Sequence, residues 1–109
     1  MILGYAFAKE STQGGNHIVL DQNFKDKVVA ITELSKKMNN NDRQKILQMI
    51  KEHVVEIEEL YNDNNDHWAV ETADLIVLCY ELLFMEEKDI DVVFGECLPR
   101  FFVKLKNLG

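Results

Sequence analysis

Proline and glycine are scarce, one and five in 109 residues. A β-sandwich or barrel needs many tight turns, so this scarcity argues against one and suits a few long helices. Cysteine occurs twice, at Cys79 and Cys97, both inside apolar stretches and without CxxC spacing. That excludes a disulfide framework and a zinc knuckle, and it predicts two buried free thiols in a reducing cytoplasm. Positive charge is also in deficit. Twelve Lys and Arg stand against nineteen Asp and Glu, a formal net charge of -7. Such a chain repels phosphate backbones, so a nucleic acid polymer is an unlikely partner. Uninterrupted apolar runs are short. None reaches the ~18 residues of a membrane span, and no membrane partner is expected. The opening stretch, MILGYAFAKE, lacks a basic n-region and a cleavage site, so no signal peptide is expected.

What remains is 47% apolar residues, enough for one small folded domain. Residues 1–20 differ from the rest. Two apolar pieces, 2–8 and 17–20, flank Ser11-Thr12-Gln13-Gly14-Gly15-Asn16, which is turn chemistry between short strands. This predicts a short amino-terminal arm, irregular or hairpin-like, ahead of a helical domain over 21–109.

Four helices are read in that domain. The first spans about 21–38, with Phe24, Val28, Ile31 and Leu34 at helical spacing. An Asn-rich linker then ends in Asp42, a natural N-cap. The second spans about 43–61 and presents Ile46, Ile50, Val54, Ile57 and Tyr61 on its apolar face. A second Asn/Asp linker ends in Asp66, read as another cap. The third spans about 67–86 and is apolar almost all round, which predicts burial on every side. The fourth spans about 92–107 behind Asp89 or Asp91. Gly95 and Pro99 predict a kink or a division into two segments there. The expected fold is all-α, a four-helix bundle.

The acidic residues carry the functional signal. At ~100° per residue, Glu52, Glu56 and Glu59 share one stripe of the second helix, beside His53. Taken alone, that stripe is an ordinary solvated face. The third helix is different, because its few polar residues, His67, Glu71, Asp74 and Glu81, fall on one narrow line. Desolvating an unpaired carboxylate costs several kcal/mol, so buried acids need partners. Lys51 and Lys88 are not placed to neutralise both Glu71 and Asp74, which leaves a metal ion as the natural partner. Carboxylates at i and i+3 project from one helical face, so two neighbouring helices can offer four ligands to Mg²⁺. Di-iron bundles add an ExxH motif on two helices, and no ExxH occurs here.

Glu56-Ile57-Glu58-Glu59-Leu60 followed by Glu71-Thr72-Ala73-Asp74-Leu75 resembles the ExxE…ExxD signature of the MazG-like, all-α nucleoside triphosphate pyrophosphohydrolases. Eleven residues separate Glu59 from Glu71, near the short end for that family. The resemblance covers about 24–107 and is strongest over 46–85. It implies a MazG-like bundle in which Glu56, Glu59, Glu71 and Asp74 are the metal ligands and catalytic residues. The metal would be Mg²⁺, with Mn²⁺ as an alternative, and the reaction would convert an NTP or dNTP to the monophosphate and pyrophosphate. It also implies a cytoplasmic enzyme that is a homodimer or homotetramer.

Lys104, Lys106 and Asn107 resemble the basic residue and Asn that relatives place against substrate. They lie several residues farther from Asp74 than that pattern has them. Otherwise these lysines are ordinary charges at a helix C-terminus, where they favour the dipole. Tyr61 and Trp68 could stack on a base or simply pack in the core. Arg100 is a weaker phosphate candidate. The reading from a different class is a non-catalytic helical interaction module, whose acidic line binds a structural cation or a protein partner.

Overall fold

The computed structural model describes residues 21–109, so the arm expected over 1–20 lies outside the described residues. Four α-helices make up the rest: α1 (Gln22–Asn39), α2 (Arg43–Asn62), α3 (Trp68–Met85) and α4 (Ile90–Leu108). The chain is an all-α four-helix bundle, and no described helix is long and apolar enough to cross a membrane.

Local chemistry sets the helix ends. The Asp21 carboxylate accepts from the Asn23 amide, and Asp42 accepts from the amides of Gln44 and Lys45. Each thereby satisfies donors that the first helical turn leaves orphaned. Asn40 and Asn41 both adopt positive φ, at 54° and 59°. Asparagine tolerates that left-handed region better than most residues, which is why an Asn run can close α1 and turn the chain into α2. Asp89, not Asp91, caps α4, accepting from the Val92 amide.

Asp66 does not cap α3. The N-cap is His67, with no side-chain cap bond, and Asn65 Oδ1 accepts from the His67 amide instead. The linker residue that turns back is therefore one position earlier than the Asn/Asp pattern suggested. α4 runs as one helix through Gly95 and Pro99 rather than as two segments.

Helices α2 and α3 form the most closely packed pair. At one end, Tyr61 and Trp68 meet edge-to-face with centroids 5.4 Å apart. At the other, Arg43 Nε donates to Glu86 Oε1 at 2.8 Å and its Nη2 to the Met85 carbonyl at 3.0 Å. Residues early in α2 thus meet residues late in α3, and the pair is an antiparallel hairpin. Arg43 also fills one of the carbonyls that the end of α3 leaves open.

Helix α1 packs across α3. Tyr80 joins three helices, touching Phe24 of α1 and Phe94 of α4 edge-on, and a Lys25–Asp91 ion pair at 2.9 Å ties α1 to α4. The core is small: Val28, Ile46, Leu78, Met85 and Ile90 are its buried apolar members.

Helix α3 is not buried on every side. Val70, Ala73, Ile76 and Cys79 are exposed, Val70 and Ile76 by about half. Its inner stripe meets α2 and its flank meets α1, but the described helices do not wrap its far side. The same geometry corrects the expected burial of the thiols, since Cys79 is exposed and Cys97 half-buried.

Candidate metal centre

The inward stripe of α2 contains Ile46, Met49, Ile50, His53, Ile57 and Leu60, all buried or half-buried. At ~100° per residue His53 lies near the middle of that stripe. The inward stripe of α3 contains Glu71, Leu75, Leu78, Leu82 and Met85. A histidine and a glutamate therefore occupy positions that would ordinarily be apolar, and they face each other across the hairpin.

Their contact is direct. His53 Nε2 lies 3.3 Å from Glu71 Oε1. His67, one turn before Glu71, places its Nε2 3.2 Å from the other oxygen, Oε2. The Glu71 side chain is only 13% exposed, against 55% for His67. A largely desolvated carboxylate is thus held between two imidazoles, which answers the need for partners that burial creates. On the far side of the His53 ring, Nδ1 is 2.9 Å from the Met49 carbonyl oxygen.

Asp74 completes the cluster. One donor atom each from His53, Glu71 and Asp74 lies within 4.8 Å of the other two. Asp74 is exposed, so the cluster is walled on the helix side and open to solvent on the other.

Glu56 and Glu59 stand outside this cluster, exposed on the flank of α2. With Gln48, Lys51, Glu52, Val55, Leu60 and Asp63 they line an open groove of about 600 Å³. The register fixed by Tyr61–Trp68 and Arg43–Glu86 sets Glu56 at about the level of Ala73 and Glu59 at about that of Val70. The two acidic pairs are therefore level along the hairpin, but Glu71 and Asp74 do not line that groove. At ~100° per residue, Glu56 is ~60° and Glu59 ~120° around α2 from His53. Glu52 accepts from Gln48 along the same groove, at 3.3 Å.

The remaining candidates are dispersed. Lys104, Lys106 and Asn107 are exposed on the last turns of α4, and no hydrogen bond or ion pair joins them to the four acids. Arg100 is exposed on the same helix. Tyr61 and Trp68 pack edge-to-face against each other at the hairpin turn. Lys51 lines the groove rather than neutralising Glu71.

From sequence both histidines read as neighbours of the acidic stripes that could hydrogen-bond a carboxylate but more often pack or face solvent; both meet Glu71. A polar residue at the centre of an apolar stripe, as His53 is, and a histidine four residues before a buried acid, as His67 is, were the available signals.

Two other groups have unusual surroundings. Partial desolvation raises the Cys79 thiol and the Tyr80 hydroxyl above their ordinary pKa values. Glu81, one of two buried polar residues among those described, has an Oε1 with no hydrogen-bond partner.

No family model, no curated protein and no solved structure matches the chain.

Proposed function

We propose that the chain is a divalent-cation-dependent nucleoside triphosphate pyrophosphohydrolase of the MazG-like kind. The observation that carries this reading is the α2–α3 hairpin, whose antiparallel register sets Glu56 and Glu59 level with Glu71 and Asp74. Four carboxylates at one level of two adjacent helices are a ligand supply suited to Mg²⁺ or Mn²⁺. The open groove beside Glu56 and Glu59 gives a polyphosphate room to approach.

In the proposed reaction, water attacks the α-phosphorus of an NTP or dNTP. A new P–O bond forms, the bridging α–β P–O bond breaks, and pyrophosphate leaves with those electrons. The water proton passes to a carboxylate or to solvent. Bound cations neutralise the phosphates and lower the pKa of the attacking water. They would also offset the repulsion between the phosphates and a chain of net charge -7. Lys104, Lys106 and Asn107 are assigned to substrate only if a second copy brings α4 to the groove. The reading goes with a homodimer or homotetramer and with a cytoplasmic location, where the free Cys79 and Cys97 stay reduced.

One observation favours the second reading, a non-catalytic interaction module. Glu56 and Glu59 line the groove and are not part of the cluster that His53, Glu71 and Asp74 form.

A panel of NTPs and dNTPs incubated with the purified chain separates the two. The enzyme reading expects pyrophosphate release with Mg²⁺ or Mn²⁺, none with chelator, and loss of release in Glu71→Gln. Absence of turnover for every nucleotide, with a cation-dependent rise in melting temperature, would establish the module instead.

A further inference from the structure

The His53 ring is committed on one side. Its Nδ1 meets the Met49 carbonyl oxygen at 2.9 Å, and a carbonyl can only accept, so Nδ1 carries the proton. In the neutral ring Nε2 is then a bare lone pair. That lone pair is aimed at Glu71 Oε1, itself an acceptor. With the ring neutral, a cation placed between Nε2 and Oε1 would be ligated by both.

The spacing is informative. Two ligand atoms each ~2.0–2.1 Å from a tetrahedral ion are ~3.3 Å apart, so His53 Nε2 and Glu71 Oε1 can share such an ion at close to their present separation. Asp74 offers a third donor within 4.8 Å of both. His67 takes Glu71 Oε2 at 3.2 Å, leaving Oε1 turned toward His53. A donor bond from Nδ1–H to a backbone carbonyl is also the usual support for a metal-binding imidazole.

We propose that His53, Glu71 and Asp74 form a mixed nitrogen–oxygen site for a borderline first-row cation of the Zn²⁺ class, with His67 as a positioning residue. This rests on reading Glu71 and Asp74 as cation ligands, but it adds a nitrogen donor and with it a different metal preference. Imidazole suits Zn²⁺ and its neighbours, whereas Mg²⁺ prefers an all-oxygen shell. Three protein ligands with an open solvent side leave a fourth position for water. Glu56 and Glu59, in the neighbouring groove, remain the oxygen-only pair for Mg²⁺.

The test is calorimetric titration of the full, tag-free chain with Zn²⁺ and separately with Mg²⁺, no nucleotide being present. The wild type is compared with His53→Gln, His67→Gln and His17→Gln. One Zn²⁺ per chain is expected. Its affinity should fall at least about tenfold in His53→Gln, less in His67→Gln and not at all in His17→Gln, while Mg²⁺ binding is unchanged in His53→Gln. Unchanged Zn²⁺ affinity in His53→Gln, or its loss in His17→Gln instead, overturns the proposal. If His53→Gln does not fold, Co²⁺ added to the wild type decides. Tetrahedral d–d bands, with a paramagnetically shifted imidazole Nδ1–H proton, support the site, and the spectrum of the octahedral aquo ion refutes it. Pyrophosphate release without Zn²⁺ binding would defeat this inference alone, and Zn²⁺ binding without turnover would defeat only the proposed reaction.

Discussion

His53 and Glu71 face each other across the α2–α3 hairpin, Nε2 to Oε1 at 3.3 Å, with the other ring nitrogen turned to the Met49 carbonyl. This geometry fixes a tautomer. A neutral His53 must hold its proton on Nδ1, whereas the exposed His67 has no such constraint on that nitrogen. Long-range ¹H–¹⁵N correlation spectra at alkaline pH should therefore show His53 in the Nδ1–H form and His67 as a mixture or in the Nε2–H form. An Nε2–H signal for His53 would mean that the Met49 contact is not a hydrogen bond.

Glu81 offers a different kind of test. It is 4% exposed, and its Oε1 has no partner. An unsatisfied buried polar atom costs about 1–3 kcal/mol. Replacement by an apolar side chain of similar size removes that cost. Glu81→Leu is expected to raise stability to urea by about 1–3 kcal/mol, without altering the helical content. A destabilised Glu81→Leu would reveal that the carboxyl holds the bundle together through some other group.

Much of this bundle was legible because its signals are local. The apolar stripes of α1 and α2 and the cap Asp42 need only neighbouring residues, and Asp89 is one of the two acids read as a cap for α4. Asp66 misled because in the 62–66 linker several residues could turn the chain, and Asn65 takes the role. The exposure of Cys79 and Val70 escaped notice because burial depends on how many neighbours a helix gains, which periodicity does not encode. The acidic cluster was half legible. Glu71 and Asp74 stood out against an apolar helix. The role of His53 required the hairpin register, which emerges only when Tyr61 meets Trp68 and Arg43 meets Glu86.

The uncovered side of α3 bears on assembly. Val70, Ala73 and Ile76 recur at i, i+3 and i+6 and are exposed, and Phe101, Phe102 and Leu105 are exposed on α4. Apolar surface of this extent is the usual mark of an interface. Light scattering is expected to find the wild type at least dimeric, and Ile76→Lys to shift it toward monomer with the helix content retained. A wild-type chain that stays monomeric at high concentration would remove the oligomer from the proposed function.

The two acidic pairs should separate experimentally, because Glu56 and Glu59 line the groove whereas Glu71 and Asp74 cluster with His53. Glu56 and Glu59 lie in the open groove, away from His53, while Glu71 is pinned between two imidazoles. If the groove pair holds the Mg²⁺ that carries the triphosphate, Glu56→Gln and Glu59→Gln each lose a ligand exposed to solvent. Such losses cost little folding energy, since solvated surface substitutions stay within about 0.5 kcal/mol. They should nonetheless lower kcat/KM for pyrophosphate release by at least about tenfold, the usual scale for an altered metal site. Zn²⁺ affinity in the same variants should not move. Glu71→Gln should instead reduce both, because it removes the carboxylate charge held between His53 and His67. Equal loss of Zn²⁺ affinity in all three variants would mean that the side chains of α2 swing onto one common centre, and the division into two sites would have to be abandoned.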